Sequence, residues 1–378
     1  MIAFSRNQYR LSVLMFITIN LLFYFKYLYR ISMSVAIIGV LFYIVLSFYL
    51  FQKTKTISLS ISRLKVLIGF IFFISILCII GLYAIPRESL NVDRWEVIQV
   101  FWDSVCQGNN PYGAKNSVGN YPGPMPIYFL LYYPFYVIGE IGYSTLLLLV
   151  IGLFYFYKKY SLQTFFLIAS LLFTSVFIFW EIVTRSTILI NACLFCYFFL
   201  FILKIRPSSP KQFYFSALIG GLIFSIRNVF ILPMIIWGIY MLHSQALKWF
   251  QLLKWGIVFI FSFGITFIPF LFLWFKEFLV MNPFLIQSSV LIPFQFILGF
   301  MVLAIGLGFM AKNETDVFFY SCTILFLMII THIGYWIFRE GFMEGYLNSR
   351  GDISYFLFSV PFLLEIIAQR KQIDHDKK

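Results

Sequence analysis

The chain has 378 residues, 61% hydrophobic and 22% aromatic, and only 11% carry a charge. With a mean hydropathy of +0.91 this composition excludes a soluble fold, and the longest polar stretch, Pro86 to Pro124, is too short to bury the core of a hidden soluble domain. The net charge of +13 would point to a polyanion in a soluble protein; in so apolar a chain it reports sidedness, because Lys and Arg collect on the cytoplasmic side of a membrane, and no nucleic-acid partner is expected.

Arg6 and Arg10 precede the first apolar run as in a signal peptide, but no small-residue cleavage site follows, so a retained first helix is expected. Apolar runs then predict helices at 11–25, 32–51, 66–85, 141–157, 161–180, 187–203, 212–226, 228–243, 256–275, 294–311, 317–338 and 353–368. That makes an all-α polytopic membrane protein of about twelve transmembrane helices. It reads as a single integral membrane domain over 1–378, with an extra helix hairpin at 1–65, a transmembrane core at 66–378 and an outer loop at 86–138. No internal repeat appears, which disfavours a transporter of inverted halves.

The outer loop carries most of the polar chemistry. Val92, Trp95, Val97, Ile98, Phe101, Trp102 and Val105 recur near a helical period, with Asp93, Arg94, Glu96, Gln99 and Asp103 between them. This predicts an amphipathic helix on the outer leaflet that holds Asp93 where headgroups and water meet, a suitable place for a base acting on a lipid-linked substrate; the bland alternative is a solvated interfacial helix. Pro126 to Ile138 is apolar but short, contains Pro134 and is rich in Tyr, so it is placed flat on the interface. Keeping it there leaves 18 of the 28 Lys and Arg on the inner side, both termini inside, and Lys115 and Glu140 outside. Tyr112 and Tyr121 in this loop read as interface anchors, the commonest role for Tyr at this depth.

Further along, Glu181 and Arg185 lie on the next outer turn at the spacing of a helix-surface ion pair. Arg227 follows the small pair Gly220 and Gly221, which permits close helix packing, and sits at an outer junction of two spans. An arginine at that depth needs a partner: a phosphate, or Glu181, or the surface reached by snorkelling. Cys193 and Cys196 form a C-x-x-C pair within a span without a second pair or a His, and His243, His332 and His375 are isolated, so small packing residues are expected rather than a metal centre. A carboxylate-held divalent cation stays open, since Asp93, Glu96 and Asp103 alone do not specify one. Asn282, Gln287, Arg350 and Asp352 in the later outer loops are expected to be solvated loop residues.

An acid soon after a span (Asp93), a loop helix ending in Gly108-Asn-Asn-Pro-Tyr112, the stretch Tyr121-Pro-Gly-Pro-Met-Pro126 and a second interfacial helix together resemble the polyprenyl-phosphate-sugar-dependent glycosyltransferases of the GT-C superfamily. The resemblance covers about residues 66 to 245. It implies a GT-C-like membrane core, Asp93 as general base, and Glu181, Arg185, Arg227, Tyr112 and Tyr121 about the substrates. It also implies a polyprenyl-phosphate-linked sugar donor, an outward-facing glycan or lipid acceptor, and a place in a bacterial inner membrane. Two rivals share the composition: a surface-polysaccharide polymerase outside this superfamily, and a flippase or transporter of lipid-linked sugar.

Overall fold

The computed structural model describes residues 4–53, 61–90, 92–205, 209–290, 293–348 and 352–376. All regular structure among them is helical: α1 (Arg6–Tyr29), α2 (Met33–Lys53), α3 (Ile61–Ala84), α4 (Arg94–Cys106), α5 (Pro126–Ile138), α6 (Gly142–Lys159), α7 (Leu162–Phe173), α8 (Val176–Val183) and α9 (Ile188–Ile202). These are followed by α10 (Pro210–Phe224), α11 (Ile231–His243), α12 (Trp249–Ile265), α13 (Ile268–Leu273), α14 (Phe275–Val280), α15 (Pro283–Val290), α16 (Phe294–Met310), α17 (Glu314–Phe342) and α18 (Val360–Asp376). Each apolar run read from the sequence is helical over most of its length.

Helicity and the length to cross a bilayer are separate matters. Among the described residues four helices are long and apolar enough to cross a membrane, Arg6–Tyr29, Met33–Gln52, Glu314–Leu347 and Ile353–Arg370, or six if each of two bent pairs counts as one span. Ile188–Ile202, Asn228–His243, Trp249–Ile265 and Phe294–Met310 are apolar but shorter than the roughly 20 residues a span needs. The run expected at 161–180 is broken, with α7 and α8 meeting at 60°. At the break Thr174 Oγ1 donates to the Ser170 carbonyl at 2.8 Å and Ser175 Oγ to the Leu171 carbonyl at 2.6 Å, while the Ser175 N–H leaves the helical ladder for the Leu172 carbonyl at 3.0 Å. Gly139, at φ +84°, ends α5, a left-handed cap that a residue with a Cβ rarely adopts.

The chain divides into two compact units, Met1–Asn91 with Gly142–Ile190 and Ile329–Lys378, and Val92–Ile141 with Asn191–Met328. In the first, α1 packs along α2 and α18, and Phe16 and Phe23 close on Phe177 of α8. Glu365 of α18 is deeply buried there, 2% exposed, and accepts from Tyr160 Oη at 2.6 Å, from Gln369 Nε2 at 2.7 Å and from Lys159 Nζ. Those bonds tie α18 to the end of α6.

In the second unit small residues set the helix spacing. A Cβ on Gly221 of α10 would lie 2.3 Å from the Phe259 carbonyl oxygen of α12, a backbone atom that cannot turn aside, so the glycine pair anticipated from the sequence is what lets α10 and α12 touch. Gly308 does the same for α16 against α11, its Cβ position lying 2.6 Å from Ile239 Cβ. Across the α10 contact Trp255 Nε1 donates to Ser216 Oγ at 3.0 Å and Ser262 Oγ to the Leu218 carbonyl at 2.6 Å, satisfying polar groups that an apolar surrounding would otherwise penalise.

Candidate functional site

The amphipathic segment forms α4 and buries Ile98 and Phe101. Phe101 stacks flat on Phe129 of α5, ring centroids 3.5 Å apart, and Trp102 Nε1 donates to the Phe129 carbonyl at 3.1 Å. These contacts fix α4 against α5. Asp93 stands at the N-terminal boundary of α4 but does not cap it. Its Oδ2 instead accepts two amide hydrogen bonds, from Asn116 Nδ2 and Asn120 Nδ2, both at 2.7 Å. One turn on, Glu96 accepts from the Ser117 N–H at 2.6 Å and from Ser117 Oγ at 2.7 Å.

Two acids on the first turn of α4 therefore grip one loop, 116–120, and a helix N-terminus favours their negative charge. Both amide bonds to Asp93 fall on Oδ2, and Oδ1 has no hydrogen-bond partner among the described residues. Asp93 as a whole is half-buried.

The loop runs through Tyr121, over whose ring Lys115 Nζ sits at 5.0 Å, into the first turn of α5. There the Ile127 N–H donates to Ser225 Oγ at 3.4 Å, and Ser225 Oγ shares a 2.9 Å hydrogen bond with Thr266 Oγ1. Two residues beyond Ser225 is Arg227, whose guanidinium lies over Tyr128, Cζ 5.4 Å from the ring centre. Its Nε is shut off from solvent and has no hydrogen-bond partner, and no carboxylate pairs with the guanidinium among the described residues. The guanidinium is thus stacked on an aromatic face with one buried donor unmet.

Tyr112 turns out to be core. It is 0% exposed, its ring edge-on to Phe101, Phe270 and Phe278, and burial pushes its phenol well above the usual range. The expectation that it anchors an interface or contacts sugar gives way to aromatic packing, because Asn110 turns the chain inward there: its Oδ1 accepts the Tyr112 N–H at 3.2 Å.

Glu181 and Arg185 belong to the first unit, and they do not lie on a helix surface as their spacing had suggested. Both are buried, at 0% and 2% exposed, and α8 ends at Val183, so Arg185 is off the helix at φ +53°. Glu181 Oε2 accepts the Leu189 N–H at 3.2 Å and so caps the first turn of α9. Arg185 donates to the carbonyls of Val183 at 2.8 Å, Leu82 at 2.5 Å and Ile85 at 3.2 Å, closing the C-terminal end of α3 where a cation suits the helix dipole. Each of these bonds holds backbone.

The amides that grip Asp93 were not anticipated. Their signal was present in Asn116-Ser-Val-Gly-Asn120, a run of turn-forming residues with spare donors. Among the described residues no three His, Cys, Asp or Glu side chains converge as a metal set, and the carboxylate of Asp103 is engaged by Tyr136 Oη at 2.7 Å. Asn282 and Asp352 serve local turns, accepting the N–H groups of Leu285 at 3.2 Å and Ser354 at 2.9 Å. Arg350 and the side chains of Gln287 and His375 lie outside the described residues. No family model, no curated protein and no solved structure matches this chain.

Proposed function

We propose that this chain is a membrane glycosyltransferase that moves a sugar from a polyprenyl-phosphate carrier to an outward-facing envelope glycan or lipid. The reading places it in a bacterial inner membrane with both termini in the cytoplasm and a GT-C-like arrangement of its core. One observation carries it: a carboxylate with one oxygen anchored and one open, Asp93, and an arginine without an acid partner, Arg227, occur in the same compact unit, linked by the segment that Asp93 grips and on which Arg227 stacks.

The chemistry needs both. An acceptor hydroxyl attacks the anomeric carbon of the donor sugar, and Asp93 Oδ1 takes the hydroxyl proton as the new C–O bond forms. The bond between that carbon and the phosphate oxygen breaks, and its electron pair leaves with the polyprenyl phosphate. The phosphate gains a negative charge in that step, and a guanidinium beside it lowers the cost. Glu181 and Arg185 shape the backbone of their own unit, and Tyr121 remains the accessible aromatic of the loop.

Arg227→Lys tests the phosphate role. Lysine keeps the charge and loses the planar fork, so turnover with an undecaprenyl-phosphate-linked hexose falls roughly tenfold or more while the protein remains folded. Turnover equal to that of the wild type would leave Arg227 as a snorkelling side chain and remove it from the site.

A further inference from the structure

The loop gripped by α4 has two layers of hydrogen bonds. One is internal: the Asn116 N–H donates to the Asn120 carbonyl at 3.0 Å, the Asn120 N–H to Asn116 Oδ1 at 2.8 Å, and the Gly119 N–H to the Asn116 carbonyl at 2.9 Å. These close the turn on itself without help from α4. The second layer joins the turn to α4, and within it Ser117 on Glu96 already supplies two bonds. The amides of Asn116 and Asn120 are then additional, and both go to the same oxygen of Asp93.

Asn120 separates the possible roles. Its side chain is exposed, and among the described residues its amide makes one hydrogen bond, to Asp93 Oδ2. Asn116 is 6% exposed, and its Oδ1 also serves the turn. Two donors on one oxygen fix the plane of a carboxylate that would otherwise rotate. An amide suits that task, since it donates without titrating and does not compete for the proton that a base must collect.

Resting on the glycosyl transfer proposed above, we infer that Asn116 and Asn120 are positioning residues for Asp93: they hold Oδ2 as an anchor and leave Oδ1 to take the proton of the acceptor hydroxyl. A base works only when its oxygen lies within about 2.6–3.2 Å of the group it deprotonates. Misplacement by about 1 Å can cost on the order of a hundredfold in rate, so even partial loss of orientation is measurable.

The test is a double-mutant cycle on the full chain in vesicles, with radiolabelled undecaprenyl-phosphate-linked hexoses as donor and an envelope-glycan extract as acceptor. Asn120→Ala lowers kcat roughly tenfold with donor KM unchanged, and in an Asp93→Asn background the same change costs nothing further, because the oxygen it orients no longer accepts a proton. Asn120→Ser repeats the measurement with a residue that turns accommodate, and an unchanged unfolding midpoint shows that the Ser117 bonds still dock the loop. An unchanged kcat, or equal losses in both backgrounds, overturns the positioning role while the transferase reading stands. Absence of transfer by the wild-type chain overturns that reading and the inference with it.

Discussion

Asp93→Asn leaves the protein folded and inserted and cuts sugar transfer roughly a hundredfold or more, the scale for loss of a general base. The substitution is nearly isosteric, and the geometry explains why the fold survives. The remaining oxygen of the new side chain takes the place of Oδ2 and accepts from Asn116 and Asn120, while the NH2 group replaces Oδ1, the oxygen with no partner among the described residues. What is lost is the ability to take a proton. Asp103→Asn is the control from the same helix: its carboxylate accepts from Tyr136 Oη, a bond an amide oxygen also makes, so transfer stays near the wild-type rate. Full transfer by Asp93→Asn in the vesicle assay removes Asp93 as the base.

Glu365→Ala is expected to destabilise the first unit by about 3 kcal/mol, seen as a lowered unfolding midpoint in detergent. The change strips the acceptor from Tyr160 Oη and Gln369 Nε2, two buried donors, and from Lys159 Nζ. The Gln369 Oε1 atom is itself buried without a partner, so the neighbourhood holds little spare hydrogen-bonding capacity. Lys159 is partly exposed and can turn to water, which keeps the cost below that of a fully enclosed pair. Glu365→Gln retains an acceptor and loses less. An unfolding midpoint for Glu365→Ala equal to that of the wild type would show that the cluster contributes nothing to holding α18 against α6.

Features with a local cause were legible in the sequence. The period of the apolar residues gave α4 within two residues at its start and one at its end, and the Gly220–Gly221 pair foretold the close approach of α10 and α12. Gly139 also lies where the interfacial segment had been expected to stop.

Features with a distant cause were not legible. Asp93 meets Asn116 and Asn120 across 23 and 27 residues, and no periodicity encodes such a pairing. Arg185 reads as one end of a helix-surface pair until its positive φ takes it off the helix and onto the carbonyls of Leu82 and Ile85. Tyr112 looks like an interfacial residue by composition, yet the aromatic rings of α4, α5, α13 and α14 enclose it. The break at Thr174 and Ser175 is an intermediate case, since hydroxyl residues inside an apolar run permit either a bend, as there, or a continuous helix, as at Ser321 and Thr323 of α17 with the same kind of bond.

On the proposed reading the sugar leaves its carrier for an acceptor and does not cross the bilayer with it. The most direct measurement uses the purified chain in vesicles loaded with radiolabelled undecaprenyl-phosphate-linked hexose, following label in the acceptor and label crossing the membrane in the same sample. Label that enters the acceptor in wild type, falls roughly a hundredfold with Asp93→Asn and does not cross with the carrier is the predicted result. Carrier-linked label that crosses the bilayer with none in the acceptor would contradict it and make the chain a flippase.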